Sequence, residues 1–187
     1  TPRTSSAASD VYKRQLSSTA ISISNPLVQE ESLLRTSLMP GQLKIISYNQ
    51  SHRIKKLKFF EIGHVYLPSE DNQLLPDERE YLSITIAGGD ATEIVAILDM
   101  ISLTMAFPNM QLKQQEIEGL HPGRSAQVFV AGQERGAVGE VDPRVLRNYG
   151  IDDSVAWLEL DLGSILAGPF GKKNTQACQS TPQAILI

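Results

Sequence analysis

The sequence predicts an α+β domain with a mainly antiparallel sheet flanked by helices. Three observations carry that expectation. Short alternating runs recur, two of them joined at hairpin distance in "SAQVFVAGQERGAVGEV". Two helix signatures, one opening at Met39-Pro40-Gly41 and one at Asp90, stand among those runs. Helices do not separate every pair of strands, as parallel neighbours would require.

Each element has a local reason. "AISIS" at 20–24 alternates apolar and polar, and Asn25-Pro26 breaks it. Pro40 suits the first turn of a helix, where its missing N–H has no bond to lose. Leu43, Ile45, Ile46 and Tyr48 give that helix an apolar side as far as about Asn49. "SHRIKK" then reads as a basic, exposed connection. "LKFFEIGHVYL" is a strand with Phe60, Ile62 and His64 on one face and Phe59, Glu61 and Val65 on the other. "PSEDNQLLPDERE" reads as an acidic loop, and "YLSITIAG" as a second strand with Leu82, Ile84 and Ile86 on one face.

The clearest helix covers 91–107. Gly88-Gly89 precede it, and Asp90 with Glu93 forms a capping pattern. Ile94, Ile97, Leu98, Ile101 and Met105 recur at helical spacing, and Pro108 ends the run. "MQLKQQEIE" is a further strand. The next two strands are joined through Ala131-Gly132-Gln133-Glu134. Asp142-Pro143, a cap followed by a first-turn proline, opens a short helix that points Leu146 and Tyr149 inward and stops at Gly150. "SVAWLELDL" is the last strand, with Val155, Trp157 and Glu159 opposed to Ala156, Leu158 and Leu160. No internal repeat is present.

Bulk properties exclude several classes. The chain has 187 residues, 41% of them hydrophobic, enough for one domain with a real core. Its net charge of −4 gives no global field toward nucleic acid or anionic membrane. Cys178 is alone, so neither a disulfide framework nor a cysteine metal cluster forms within the chain, which fits a reducing, cytoplasmic setting. His52, His64 and His121 are far apart and in no metal-ligand spacing. No apolar run approaches the ~20 residues that span a bilayer. Gly88-Gly89 match neither G-x-G-x-x-G nor a phosphate-binding loop.

The two ends read differently. "SSAASDVYKRQ" at 5–15 resembles the translation of a transposon-end sequencing adapter, so 1–15 is set aside as a non-native leader. Without it, 14 basic and 20 acidic side chains remain, since Arg3, Lys13, Arg14 and Asp10 are removed. "NTQACQSTPQAILI" at 174–187 has neither strand alternation nor a helical face.

Four segments, "SNPLVQEESLLRTSLMPGQL", "LKFFEIGHVY", "GLHPGRSAQVFV" and "GAVGEVDPRVLRNYGI", resemble in order the C-terminal half of bacterial phenylalanyl-tRNA synthetase β subunits. The likeness runs over 16–173. It implies a class II synthetase-like, non-catalytic module that docks and supports a catalytic α subunit in a heterotetramer of two α and two β. It implies that the whole enzyme is an ATP- and magnesium-dependent ligase, that this chain binds no cofactor itself, and that tRNA is reached through the full complex. It also implies other β-subunit domains upstream and an anticodon-binding domain downstream. In the family a segment resembling Y-P-S-S-D-F-D follows; read one nucleotide out of step, its codons give T-P-Q-A-I-L, as at 181–186, so 174–187 is expected to be a frame-shifted tail.

The candidate site residues each have a plain reading. Glu61 stands where a motif-2 strand of the class carries an acidic residue. The active form also needs an arginine on that strand for the ATP phosphate, and none lies between Leu57 and Pro68. Glu61 is therefore expected to be structural. His121-Pro122-Gly123-Arg124 reads as a turn, with Arg124 in a surface or interface salt bridge. "HRIKK" at 52–56 offers cations to an RNA backbone or merely to solvent. No catalytic, cofactor-binding or metal residue is assigned. The competing readings are an independent small class II-like ligase and a nucleic-acid-binding domain.

Overall fold

The computed structural model of the chain describes residues 21–22, 33–69 and 75–168. The expected leader at 1–15 and tail at 174–187 lie outside the described residues, as does most of the 20–24 strand. Ser22 forms an isolated antiparallel bridge with Leu33.

Six strands form one sheet in the order β1-β2-β6-β5-β4-β3, every neighbouring pair antiparallel. They are β1 (Leu57–Leu67), β2 (Asp77–Ala87), β3 (Gln111–Gln114), β4 (Leu120–Val130), β5 (Gln133–Val141) and β6 (Val155–Asp161). The helices are α1 (Met39–Ser51), α2 (Ala91–Thr104), α3 (Pro143–Asn148) and α4 (Leu162–Ala167). The predicted α+β class and its antiparallel sheet are what the chain adopts.

Each sheet face carries its own core. On one, Met39, Leu43 and Ile46 of α1 and Val145 and Leu146 of α3 pack on Ala87, Val155 and Trp157. On the other, Ile94 and Leu98 of α2 and Ile165 of α4 pack on Ile86, Val138, Leu158 and Leu160. This sandwiching explains β6: all seven of its residues are buried, so its alternation marks two apolar faces rather than an inside and an outside.

Local chemistry sets the element ends. Asp90 caps α2, its side chain accepting from Glu93 N. Ala131 and Gly132, with φ of +54° and +79°, make a two-residue hairpin loop between β4 and β5. Asp142 caps α3 by accepting from Arg144 N at 2.7 Å and also receives the Arg144 guanidinium at 2.6 Å. Those hydrogen bonds hold the Asp142 carboxyl below its usual range. Asp142→Ala is expected to lose about 1–2 kcal/mol in urea unfolding, the usual range for a lost cap.

Several boundaries differ from expectation. Asp77, Glu78, Arg79 and Glu80 belong to β2, not to the acidic loop, because they pair with Leu67, Tyr66, Val65 and His64. α2 stops at Thr104, three residues before the expected end. His121 to Arg124 lie inside β4, in an irregular stretch where pairing shifts between Leu120 and Ser125. The chain does not reverse there; proline and glycine serve a bulge. Ile45 and Tyr48 are exposed, and α1 buries Gln42 in their place. α4 had no counterpart in the sequence reading. Among the described residues no helix is long and apolar enough to cross a membrane.

Candidate functional site

α1 covers only part of its sheet face. Beyond its N-terminus the face opens into a cleft of about 400 Å³ lined by Tyr81, Glu159, Asp161, Gln127, Arg79 and Arg135, among others. Cross-strand pairing explains the grouping: Tyr81 faces Asp161, Ser83 faces Glu159, and Ala137 pairs with both Gln127 and Glu159. Arg135 is the extra residue of a bulge, since Val128 pairs with Gly136 and Phe129 with Glu134.

At the cleft's inner edge the buried Glu159 ties the sheet to α1. Its Oε1 accepts from Leu38 N at 2.8 Å and from Ser37 Oγ at 3.2 Å. Burial pushes the carboxyl up to about 7; the two hydrogen bonds only partly oppose it. Beside it, Gln42 Oε1 accepts from Ser83 Oγ at 2.9 Å and from Thr85 Oγ1. Burial, with help from Asp161 and Glu159, raises the Tyr81 phenol to about 12.

Two arginines, Arg79 and Arg135, line this cleft. Arg79 donates to Asp77 at 2.8 Å and to Asp161 at 3.4 Å. The Asp77 hydrogen bond raises its pKa further. Asp161 also accepts from Ser164 N at 2.9 Å and Ser164 Oγ at 2.6 Å, capping α4. Arg135 is the second guanidinium, and Glu134, Glu159 and Asp161 share the lining. The lining thus offers two cations, one of them already held by two carboxylates. Among the described residues no group of three or more His, Cys, Asp or Glu is placed to hold a metal ion.

Glu61 has a structural partner that the sequence reading missed. The Arg35 guanidinium lies across β1, donating from Nη1 to Glu61 at 2.8 Å and from Nε to His64 O at 2.7 Å. Gly63 makes room for it: a Cβ there would sit 2.5 Å from Arg35 Nη2. The glycine of "FEIG" is thus a seat for an arginine from another segment. The one signal available was an arginine in "LLRTSL" with no carboxylate for more than 20 residues after it. Arg124 pairs with Glu140 at 2.6 Å, as expected, and the same Glu140 accepts from Ala91 N at the start of α2. His121 Nδ1 accepts from Gly123 N at 3.1 Å. Residues 52–56 are all exposed, and none of them lines the cleft.

A six-stranded antiparallel sheet with helices on both faces and a polar cleft at one end defines a class II tRNA synthetase-type core. The solved structure of Desulfitobacterium hafniense PylSc, a pyrrolysyl tRNA synthetase, matches it with a TM-score of 0.64. That match has 19% identity and covers 86% of this chain and 56% of the other. The chain itself belongs to the family described as the phenylalanyl tRNA synthetase beta chain CLM domain, which matches residues 3–162. A phenylalanine–tRNA ligase beta subunit of Clostridium tetani is 32% identical over 164 residues, 87% of this chain and 21% of the relative. One from Thermococcus onnurineus is 32% identical over 152 residues, 80% of this chain and 26% of the relative. The cytoplasmic one of Arabidopsis thaliana is 29% identical, covering 83% and 29%. The chain thus spans about a fifth to under a third of the length of these relatives.

Proposed function

We propose that the chain is the non-catalytic, synthetase-like module of a phenylalanine–tRNA ligase β subunit. It docks and supports the catalytic α subunit during ATP-dependent phenylalanylation of tRNA, in an assembly of two α and two β subunits. ATP and magnesium act in the α subunit; tRNA is engaged by the whole complex, in the cytoplasm. The cleft's charge balance carries this reading, because carboxylates outnumber the arginines in its lining. Exposed apolar side chains support docking. Phe60 and Ile62 on β1 are 68% and 52% exposed, and Met100 and Leu103 on α2 are 59% and 83% exposed. Such surface is commonly covered in an assembly.

Two measurements on this chain test the proposal. ATP–pyrophosphate exchange by the chain alone is expected to be absent, whereas clear exchange or tight ATP binding would revive an independent ligase. Sedimentation with the α subunit is expected to show a complex, weakened at least tenfold by the double variant Phe60→Asp, Ile62→Asp. No complex with the unaltered chain would sink the docking role.

A further inference from the structure

Residues 32–60 hold six Lys and Arg and no Asp or Glu, although the whole chain carries −4. Two of the six are engaged, Arg35 with Glu61 and Lys58 with Glu93. Lys44, Arg53, Lys55 and Lys56 form no ion pair among the described residues. Four cations are thus left to solvent within one local region of an acidic chain.

Helix geometry sets one of them, Lys44, in line with an aromatic pair, and the other three follow directly after the helix. α1 turns Gln42, Leu43 and Ile46 to the sheet, so positions 44, 48 and 52 fall on its outer side. They form a stripe of about 12 Å at 1.5 Å per residue. Tyr48 is 67% exposed, and its ring lies 4.4 Å from that of His52. Asp153, which accepts from Gln50 Nε2 at 3.4 Å, meets the opposite flank of the helix.

The turn after α1 breaks a local rule. Ile54 N bonds to Asn49 O at 3.0 Å and Arg53 N to Gln50 O at 2.9 Å. This is the helix end whose left-handed residue is usually glycine, yet Arg53 occupies it with φ +66°. Among the described residues no ion pair of its side chain offsets the strained backbone. An exposed residue held at such a conformation points to use rather than to stability.

We propose that the outer side of α1 and the turn after it form an RNA-docking surface. Lys44, Arg53, Lys55 and Lys56 take phosphate oxygens, and the Tyr48–His52 pair stacks an unpaired base. The aromatic pair set among the cations favours RNA over an acidic protein, which would need the cations alone. This goes beyond the docking of an α subunit and does not depend on it.

Fluorescence anisotropy of a labelled tRNA transcript and a labelled oligouridylate with the whole 187-residue chain tests it, without any α subunit. Four phosphate contacts predict a log–log salt slope of about −3. Lys55→Glu with Lys56→Glu is expected to lower affinity at least tenfold. Tyr48→Ala should weaken the oligouridylate about tenfold while leaving the salt slope unchanged. Arg53→Gly should weaken binding yet raise Tm by about 2–4 °C, separating lost contact from lost fold. Lys113→Glu, on β3, should change nothing. Salt-independent binding, indifference to the charge reversal, or equal affinity for polyglutamate would overturn the proposal. So would an Arg53→Gly variant that melts earlier.

Discussion

Gly136→Ala is expected to destabilise the domain by about 4 kcal/mol, a large part of the 5–15 kcal/mol that holds a domain of this size. A Cβ at Gly136 would lie 2.9 Å from Leu160 Cα and 3.0 Å from Glu159 C, and closer still to Glu159 O. All three are backbone atoms of β6, which is packed on both faces and has nowhere to retreat. The φ of +157° adds strain for any residue with a side chain. Gly41→Ala is the control. Nothing lies within 4 Å of that Cβ and the residue is helical, so the change should be neutral or stabilise by up to about 1 kcal/mol. Urea unfolding of both variants measures the difference; similar small effects would remove the close-approach account.

Glu159→Gln is expected to make the protein more stable at pH 8 and to flatten its stability between pH 5 and 8. Burial pushes the folded-state carboxyl from 4.5 to about 7. Between those values the folded chain keeps a proton that the unfolded chain has lost. Unfolding then releases a proton, so stability falls as pH rises through the window. Above pH 7 the whole penalty stands, on the order of 3 kcal/mol. Glutamine retains the single oxygen that serves Leu38 N and Ser37 Oγ and carries no charge to bury. Asp142 works in the opposite direction: its lowered pKa contributes stability that is lost as pH falls through the acid range. Thermal melts across pH 5–8 decide the matter. An unchanged pH profile in the Glu159→Gln variant would show that another group titrates there.

What could be read along the chain follows from the range of the interactions. The Asp90 cap, the turn at Ala131 and Gly132, and the Asp142-Pro143 helix start each involve bonds across a few residues, so their residue types identify them. α4 was legible in principle, since Asp161 caps Ser164 three residues on, but no change in pattern separates it from β6. The first residues of β2 were hidden for another reason. Asp77 to Glu80 stand near the cleft end of the sheet, where polar side chains meet solvent and no apolar alternation is required.

The site was less legible. Glu159 stood in the sequence as the third member of a strand face, yet its burial depends on α1 arriving above it, 121 residues earlier in the chain. Arg35 reaches Glu61 across 26 residues, and Gly63 matters only once that guanidinium lies over it. His121 to Arg124 looked like a turn because proline and glycine mark a bulge as readily as a reversal.

Periodicity, caps and turn residues alone determined the α+β class, the main strands and α2, since near-neighbour sterics and hydrogen bonds govern them. Only the tertiary structure decided which faces are buried and which carboxylates are paired. It also decided how arginine and carboxylate balance in the cleft. Those outcomes depend on charges and backbones brought together from distant segments, where Coulombic and packing energies act through space and not along the chain.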